Sequence, residues 1–165
     1  MVDNTNIWIA TLDDEEMLCE ILSSEFTKAG YVALAYSNDK RDFLEMMPVL
    51  MPDIIITDLS SPGMSGIEFI RNIRGNPLYN DVAVIVVTGH NSPELRIEAR
   101  RLGVYEFICK PLDLNYLFLV IEQIASGLNV QSPRGTRSSL DGRGLGFPSP
   151  SEPRFARFTR LPRLF

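Results

Sequence analysis

Acidic, hydroxyl and lysine side chains close four apolar runs of this 165-residue chain: Leu12-Asp13-Asp14-Glu15, Asp58, Thr88-Gly89 and Cys109-Lys110-Pro111. Were these groups brought together, their carboxylates would repel by about a few kcal/mol per close pair at an effective dielectric near 20, so a cation is needed among them. Mg²⁺ suits such a set, because it takes oxygen ligands from one or two carboxylates, several waters and a substrate phosphate. Lys110 would add a compact positive charge on the opposite side. In that pocket Asp58 is the candidate nucleophile, its carboxylate attacking an incoming phosphorus. The metal, Lys110 and the Thr88 hydroxyl would hold the oxygens that carry charge in the transition state.

Such convergence requires a particular set of elements. Apolar runs of strand length occur at Ile7 to Leu12, Tyr31 to Tyr36, Asp53 to Asp58, Val82 to Thr88 and Tyr105 to Cys109, and longer helical patterns separate them. The first, third and fourth are almost wholly apolar, as central parallel strands covered on both faces must be. Helical stripes are formed by Leu18, Ile21, Leu22 and Phe26, by Ile67, Phe69, Ile70 and Ile73, and by Leu117, Val120, Ile121 and Ile124. Asn38 is read as the start of one further helix and Ser92-Pro93 as the start of another, with Glu94 in its first turn. Five strands alternating with five helices predict right-handed crossovers and an α/β fold, an open doubly wound parallel sheet whose ligand site lies beyond the carboxyl ends of the strands.

Charge divides the chain. Residues 1–127 hold 9 Lys+Arg against 19 Asp+Glu, a balance of −10, whereas residues 128–165 hold 7 Arg against 2 acids, a balance of +5. The second stretch also carries five Pro, four Gly and five Ser without sustained periodicity, and reads as a disordered or loosely attached tail. Its segment RFARFTRLPRLF alternates arginine with aromatic and aliphatic residues, a composition compatible with acidic protein, anionic lipid or nucleic acid. It matches no DNA-binding module, so nucleic acid is not an expected partner. No apolar run approaches the roughly 20 residues that cross a bilayer, and Met1 to Glu16 carry no Lys or Arg, which excludes a secretory signal and predicts a cytoplasmic address. Cys19 and Cys109 lack the spacing of a zinc site and read as core residues.

Taken in order, the Asp-Asp-Glu after the first run, PDIIITDLSSPGMSGIEFIRNIR around the third, VVTGH after the fourth and FICKP after the fifth resemble the receiver domain of bacterial two-component response regulators. The resemblance covers roughly residues 6–127. It implies a flavodoxin-like (CheY-like) three-layer sandwich. It also implies a signalling switch rather than a conventional enzyme, one that takes a phosphoryl group on Asp58 from a sensor histidine kinase or phosphotransfer protein. By the same resemblance Asp13 and Asp14 are the acidic pair, Asp14 the direct metal ligand, with Asp58 and the Ser60 backbone carbonyl completing the Mg²⁺ coordination. Thr88 would be the switch hydroxyl, Lys110 the phosphate-binding base and Phe107 the aromatic switch. Pro62, Gly63 and Gly66 look like the family's loop after the acceptor, where glycine allows tight turns. The Lys110-Pro111 bond is implied to be cis. A downstream protein would dock on the face formed by the fourth helix, fifth strand and fifth helix, where a homodimer could also form.

Some residues depart from the common pattern or allow a plainer reading. Phe107 has no hydroxyl, so its motion would be felt through packing alone. Ser60 and His90 stand where the family controls access of water to the acyl phosphate, and the plain reading of His90 is an exposed loop histidine. Arg96, Arg100 and Arg101 read as a solvated helix face, with a docking patch as the alternative. The fifth helix is apolar beyond one stripe, so Tyr116 or Phe118 is expected to face outward. Two other functions remain open from sequence: a nucleic-acid-binding regulator acting through the tail, and a phosphohydrolase with an aspartyl nucleophile. The latter class looks for a second Asp two positions after the nucleophile, where this chain has Ser60.

Overall fold

A computed structural model describes residue 4 and residues 6–131. The strands are β1 (Trp8–Leu12), β2 (Val32–Tyr36), β3 (Ile54–Thr57), β4 (Ala83–Thr88) and β5 (Glu106–Cys109). The helices are α1 (Glu16–Lys28), α2 (Lys40–Leu50), α3 (Gly66–Arg74), α4 (Pro93–Arg101) and α5 (Leu114–Gln131), with a 3-10 turn at Pro77–Tyr79. All five strands are parallel in the order β2-β1-β3-β4-β5. The doubly wound sheet expected from the alternation of elements is therefore present.

The apolar strands are apolar because both faces are covered. Ile54 and Ile56 point into one layer with Leu22 and Phe26 of α1 and Leu117, Val120, Ile121 and Ile124 of α5. Between them Ile55 points into the other, with Phe43 and Met47 of α2, Phe69, Ile70 and Ile73 of α3, and Ala99 of α4. The period-two alternation of a strand makes neighbouring residues serve opposite layers, so no position in IIIT can be polar without a partner.

Local signals set most boundaries. Ser65 and Ser92 cap α3 and α4, their hydroxyls accepting the N–H groups of Glu68 and Leu95, and Pro93 occupies the first helical position with Glu94 in the first turn. Helix α2 begins one residue later than the Asn38 reading: Asp39 is its cap, accepting the Arg41 N–H. A second correction concerns Ile21, which is half exposed and off the buried stripe that Cys19, Leu22, Ser23 and Phe26 form. With the stripe anchored at Leu22 and Phe26, residue 21 turns about a hundred degrees away from it. At the other end of the chain, α5 continues through residue 127 to Gln131, and Leu128 packs on the α1/α5 layer. A boundary at 127 thus falls inside a helix, because composition changes before helix packing ends. The tail expectation otherwise concerns residues outside those described. Among the described residues no helix is long and apolar enough to cross a membrane.

Candidate phosphoacceptor and metal pocket

Parallel strands all deliver their carboxyl ends to one edge, and the four sequence groups meet there. β1 runs into Asp13, β3 into Asp58, β4 ends at Thr88 and β5 leads into Lys110. One ligand oxygen from each of Asp13, Asp14 and Asp58 can be chosen so that all lie within 4.8 Å of one another. Asp13 and Asp58 are buried and Asp14 is exposed, which leaves one open side through which a ligand could enter.

The Lys110 ammonium is shared among three carboxylates: Asp13 Oδ2 at 2.9 Å, Glu15 Oε1 at 2.6 Å and Asp58 Oδ2 at 3.2 Å. It therefore sits among the acids rather than opposite them, since a mobile cation on a four-carbon stem settles where negative potential is deepest. Its peptide bond to Pro111 is cis. Asp58 Oδ1 accepts the Ser60 N–H at 2.9 Å. Burial pushes the Asp58 carboxyl up, but hydrogen bonds from the Ser60 N–H, the Thr88 hydroxyl and Lys110 outweigh it and hold the group below the ordinary carboxylate value. For Asp13 the balance reverses: burial outweighs the bonds from Lys110 and the Glu15 N–H and leaves its pKa raised. Burial works against the Lys110 charge too, yet its bonds to Glu15, Asp13 and Asp58 drive its pKa above that of an ordinary lysine.

Around this centre lie the other expected residues. Thr88 is fully buried, and its oxygen accepts the His90 N–H at 3.2 Å. His90 is exposed, as the plain reading had it, and also engaged: its Nδ1 lies 2.6 Å from Ser60 Oγ, so the residues two positions beyond Asp58 and Thr88 touch. Gly66 is required by contact, because a Cβ there would stand 2.4 Å from the Asp58 carbonyl oxygen. Gly63 has a left-handed φ of 83°, and a Cβ there would also strike the Asp39 carboxylate. Half-buried Phe107 lies 4.6 Å beneath the Arg96 guanidinium, which also reaches Asn91 Oδ1 and Cys109 Sγ. Arg96 is thus no bare member of a solvated face, while Arg100 and Arg101 are exposed. On α5, Tyr116 is exposed and donates to Glu106 Oε2, whereas Phe118 is half buried against Phe26. Cys19 is buried; Cys109 is only partly so.

Two charged residues of the pocket region make contacts that the sequence does not indicate. Glu15 becomes a Lys110 partner only through the fold. Lys40 begins a helix with Arg41 beside it, a pattern that reads as solvated, yet its side chain is buried with Nζ donating to Ser61 Oγ. Asp13, Asp14, Ser37–Lys40 and Ser61–Gly63 line a cavity of about 210 Å³ beside it.

Comparison with known proteins agrees with this geometry. Residues 9–122 match the model of the response regulator receiver domain. The transcriptional regulatory protein FixJ of Rhizobium meliloti is 31% identical over 124 residues, which cover 75% of this chain and 59% of FixJ. The regulatory protein AtoC of Escherichia coli is 29% identical over 115 residues, 70% of this chain and 24% of AtoC. The chain therefore spans about three-fifths of one relative and a quarter of the other. Among solved structures, FixJ-N superposes with a TM-score of 0.64 at 29% identity, covering 73% of this chain and 94% of that one. Chemotaxis protein CheY4 of Vibrio cholerae shares the fold, with a TM-score of 0.66 at 24% identity over 72% of this chain and 98% of its own. Fold, pocket and matched residues together lead to one assignment: this chain belongs to the response regulator receiver domain family, whose members are phosphorylation-controlled signalling switches.

Proposed function

We propose that this receiver is switched by transfer of a phosphoryl group to the Asp58 carboxylate, from a histidine kinase or a phosphotransfer protein. The observation that carries the reading is the Asp58 carboxylate at the end of β3, held ionised, within reach of Asp13 and Asp14, and 3.2 Å from the Lys110 ammonium. An Asp58 oxygen would bond to phosphorus as the bond to the donor breaks, the donor keeping its electron pair. Lys110, released from its carboxylates, and the buried Thr88 hydroxyl are the groups that would take the phosphoryl oxygens.

Three carboxylates clustered this closely form a hard-oxygen donor set that fits Mg²⁺. Asp13, Asp14, Asp58 and the Ser60 carbonyl would hold it, and when bound it would neutralise charge on the transferred group. The output face in this reading is α4/β5/α5, where Ile97, Tyr105, Tyr116 and Leu119 are large apolar residues left exposed. A downstream protein or a second copy would dock there, and the protein would act inside the cytoplasm as a switch rather than through turnover of a substrate.

Treating the protein with a small acyl phosphate and Mg²⁺, then measuring intact mass, should add one phosphoryl group to the wild type and none to Asp58→Asn. Circular dichroism should show the variant folded. Labelling that persists in the folded Asn variant would refute Asp58 as the acceptor.

A further inference from the structure

Lys40 is 2% exposed, an unusual position for a side chain whose long stem normally lets the ammonium reach water. It is anchored there by the loop that follows Asp58. Its Nζ donates to Ser61 Oγ, which in turn donates to the Met64 carbonyl at 3.2 Å. The preceding residue, Asp39, caps α2 with Oδ1 and accepts the Met64 N–H at 3.4 Å. The start of α2 and the loop after Asp58 are thereby joined by two adjacent residues, with the ammonium shut between them.

Strand order explains what this ammonium faces. β1 and β3, which lead into the carboxylates, are neighbours inside the sheet, while β2 and β5 are its two edges. Lys110 follows β5 from one edge, and Lys40 opens the helix that follows β2 from the other. Lys110 makes direct ion pairs with Asp13, Glu15 and Asp58. Lys40 makes none among the described residues, its hydrogen-bond partner being a neutral hydroxyl. Its counter-charge therefore lies across the pocket. Burial weakens the Lys40 charge, and the carboxylates of Asp58, Asp13 and Asp14 act against that loss, in that order of strength.

We infer that Lys40 is a built-in second cation of the acidic pocket, tethered beyond ion-pair reach, and that its charge lowers the affinity of Asp13, Asp14 and Asp58 for a divalent ion. The inference rests on reading those three acids as the metal site. A dication entering the pocket meets the repulsion of an ammonium that is buried and anchored on Ser61 Oγ, which is itself tied to the Met64 carbonyl. Metal uptake is thus set by the α2 start as well as by the ligands. The pocket opens to solvent on the Asp14 side, so water screens the two charges, and one unit charge opposing a dication at a dielectric close to that of water changes affinity about three- to tenfold.

The test is Mn²⁺ binding to the full chain, followed by electron paramagnetic resonance of free Mn²⁺. Lys40→Met keeps the apolar stem and removes the charge, and should tighten Mn²⁺ about three- to tenfold. Lys40→Arg keeps the charge and should stay within about twofold of wild type, which a purely structural role for the stem would not require. Lys40→Gln, able to donate to Ser61, gives the same comparison should the Met variant fold poorly. Affinity that is unchanged or weaker in the folded Met or Gln variant overturns the inference. Asp14→Asn separates this from failure of the site itself: it should weaken Mn²⁺ binding sharply with Lys40 or with Met at position 40. If Asp14→Asn binds like its parent in both backgrounds, the metal reading fails and the inference falls with it.

Discussion

Cys19 shows how a residue outside the chemistry registers the pocket's burial. Its thiol lies beneath the end of β1, with Sγ 3.4 Å from the Asp13 carbonyl oxygen, and is 1% exposed. Burial pushes its pKa from 9.0 up to about 11, partly offset by the hydrogen bonds to backbone carbonyls. A folded-state pKa above the unfolded value means that the native protein favours the bound proton. The corresponding stability is fully present below pH 9 and is lost as pH rises toward 11. A rise of that size corresponds to about 2–3 kcal/mol. Urea unfolding of wild type and Cys19→Ala across this range should show the wild type losing about that much more. Parallel curves for the two proteins would show that the buried thiol does not govern alkaline unfolding.

At the scale of elements, the loop after Asp58 is held by what lacks a side chain. Helix α3 starts at Gly66, whose N–H bonds to the Leu59 carbonyl at 3.0 Å and whose missing Cβ makes room for the Asp58 carbonyl. Gly66→Ala must displace backbone, at a cost of about 1–3 kcal/mol, and should also slow phosphoryl labelling of Asp58, because the displaced atom belongs to the proposed acceptor. A normal labelling rate in a destabilised Ala variant would separate the loop's stability from its function. The end of α2 offers the opposite case. Met51 closes that helix with φ at 41°, a left-handed conformation in which glycine carries no penalty. Met51→Gly should raise stability by about 0.5–1 kcal/mol in denaturant unfolding. A loss instead would mean that Met51 packing outweighs its backbone strain.

Across the whole molecule, β4 and β5 link the pocket to the apolar face. Thr88 stands at the buried end of β4, Phe107 pairs with Val86 across β4 and β5, and Arg96 of α4 lies over the Phe107 ring. If phosphorylation draws the Thr88 hydroxyl toward the phosphoryl group, the space it leaves must be refilled within this packed set. Thr88→Ala should then leave Mg²⁺ affinity within about twofold of wild type. It should also abolish the change in amide exchange that beryllofluoride, a mimic of the acyl phosphate, produces in α4 and around Phe107. An unaltered exchange response in that variant would mean that the coupling runs elsewhere.

Fold class and most of the pocket are legible in the amino-acid order because both depend on local pattern plus one topological rule. The near-continuous apolar runs are what strands buried on two faces require. Parallel strands with helical crossovers send all their carboxyl ends to one edge, so Asp13, Asp58, Thr88 and Lys110 group together from sequence. Each apolar run starts one residue before its strand, at Ile7, Tyr31, Asp53, Val82 and Tyr105, since apolar composition does not show where pairing begins. What the tertiary structure alone decided are contacts between residues far apart in the chain. Examples are Lys40 shut beneath Ser61, Glu15 on Lys110, Arg96 over Phe107, and the outward turn of Ile21. A lysine at a helix start is solvated or buried according to which loop packs over it, and that loop is placed by β3, not by the neighbours of Lys40 in sequence.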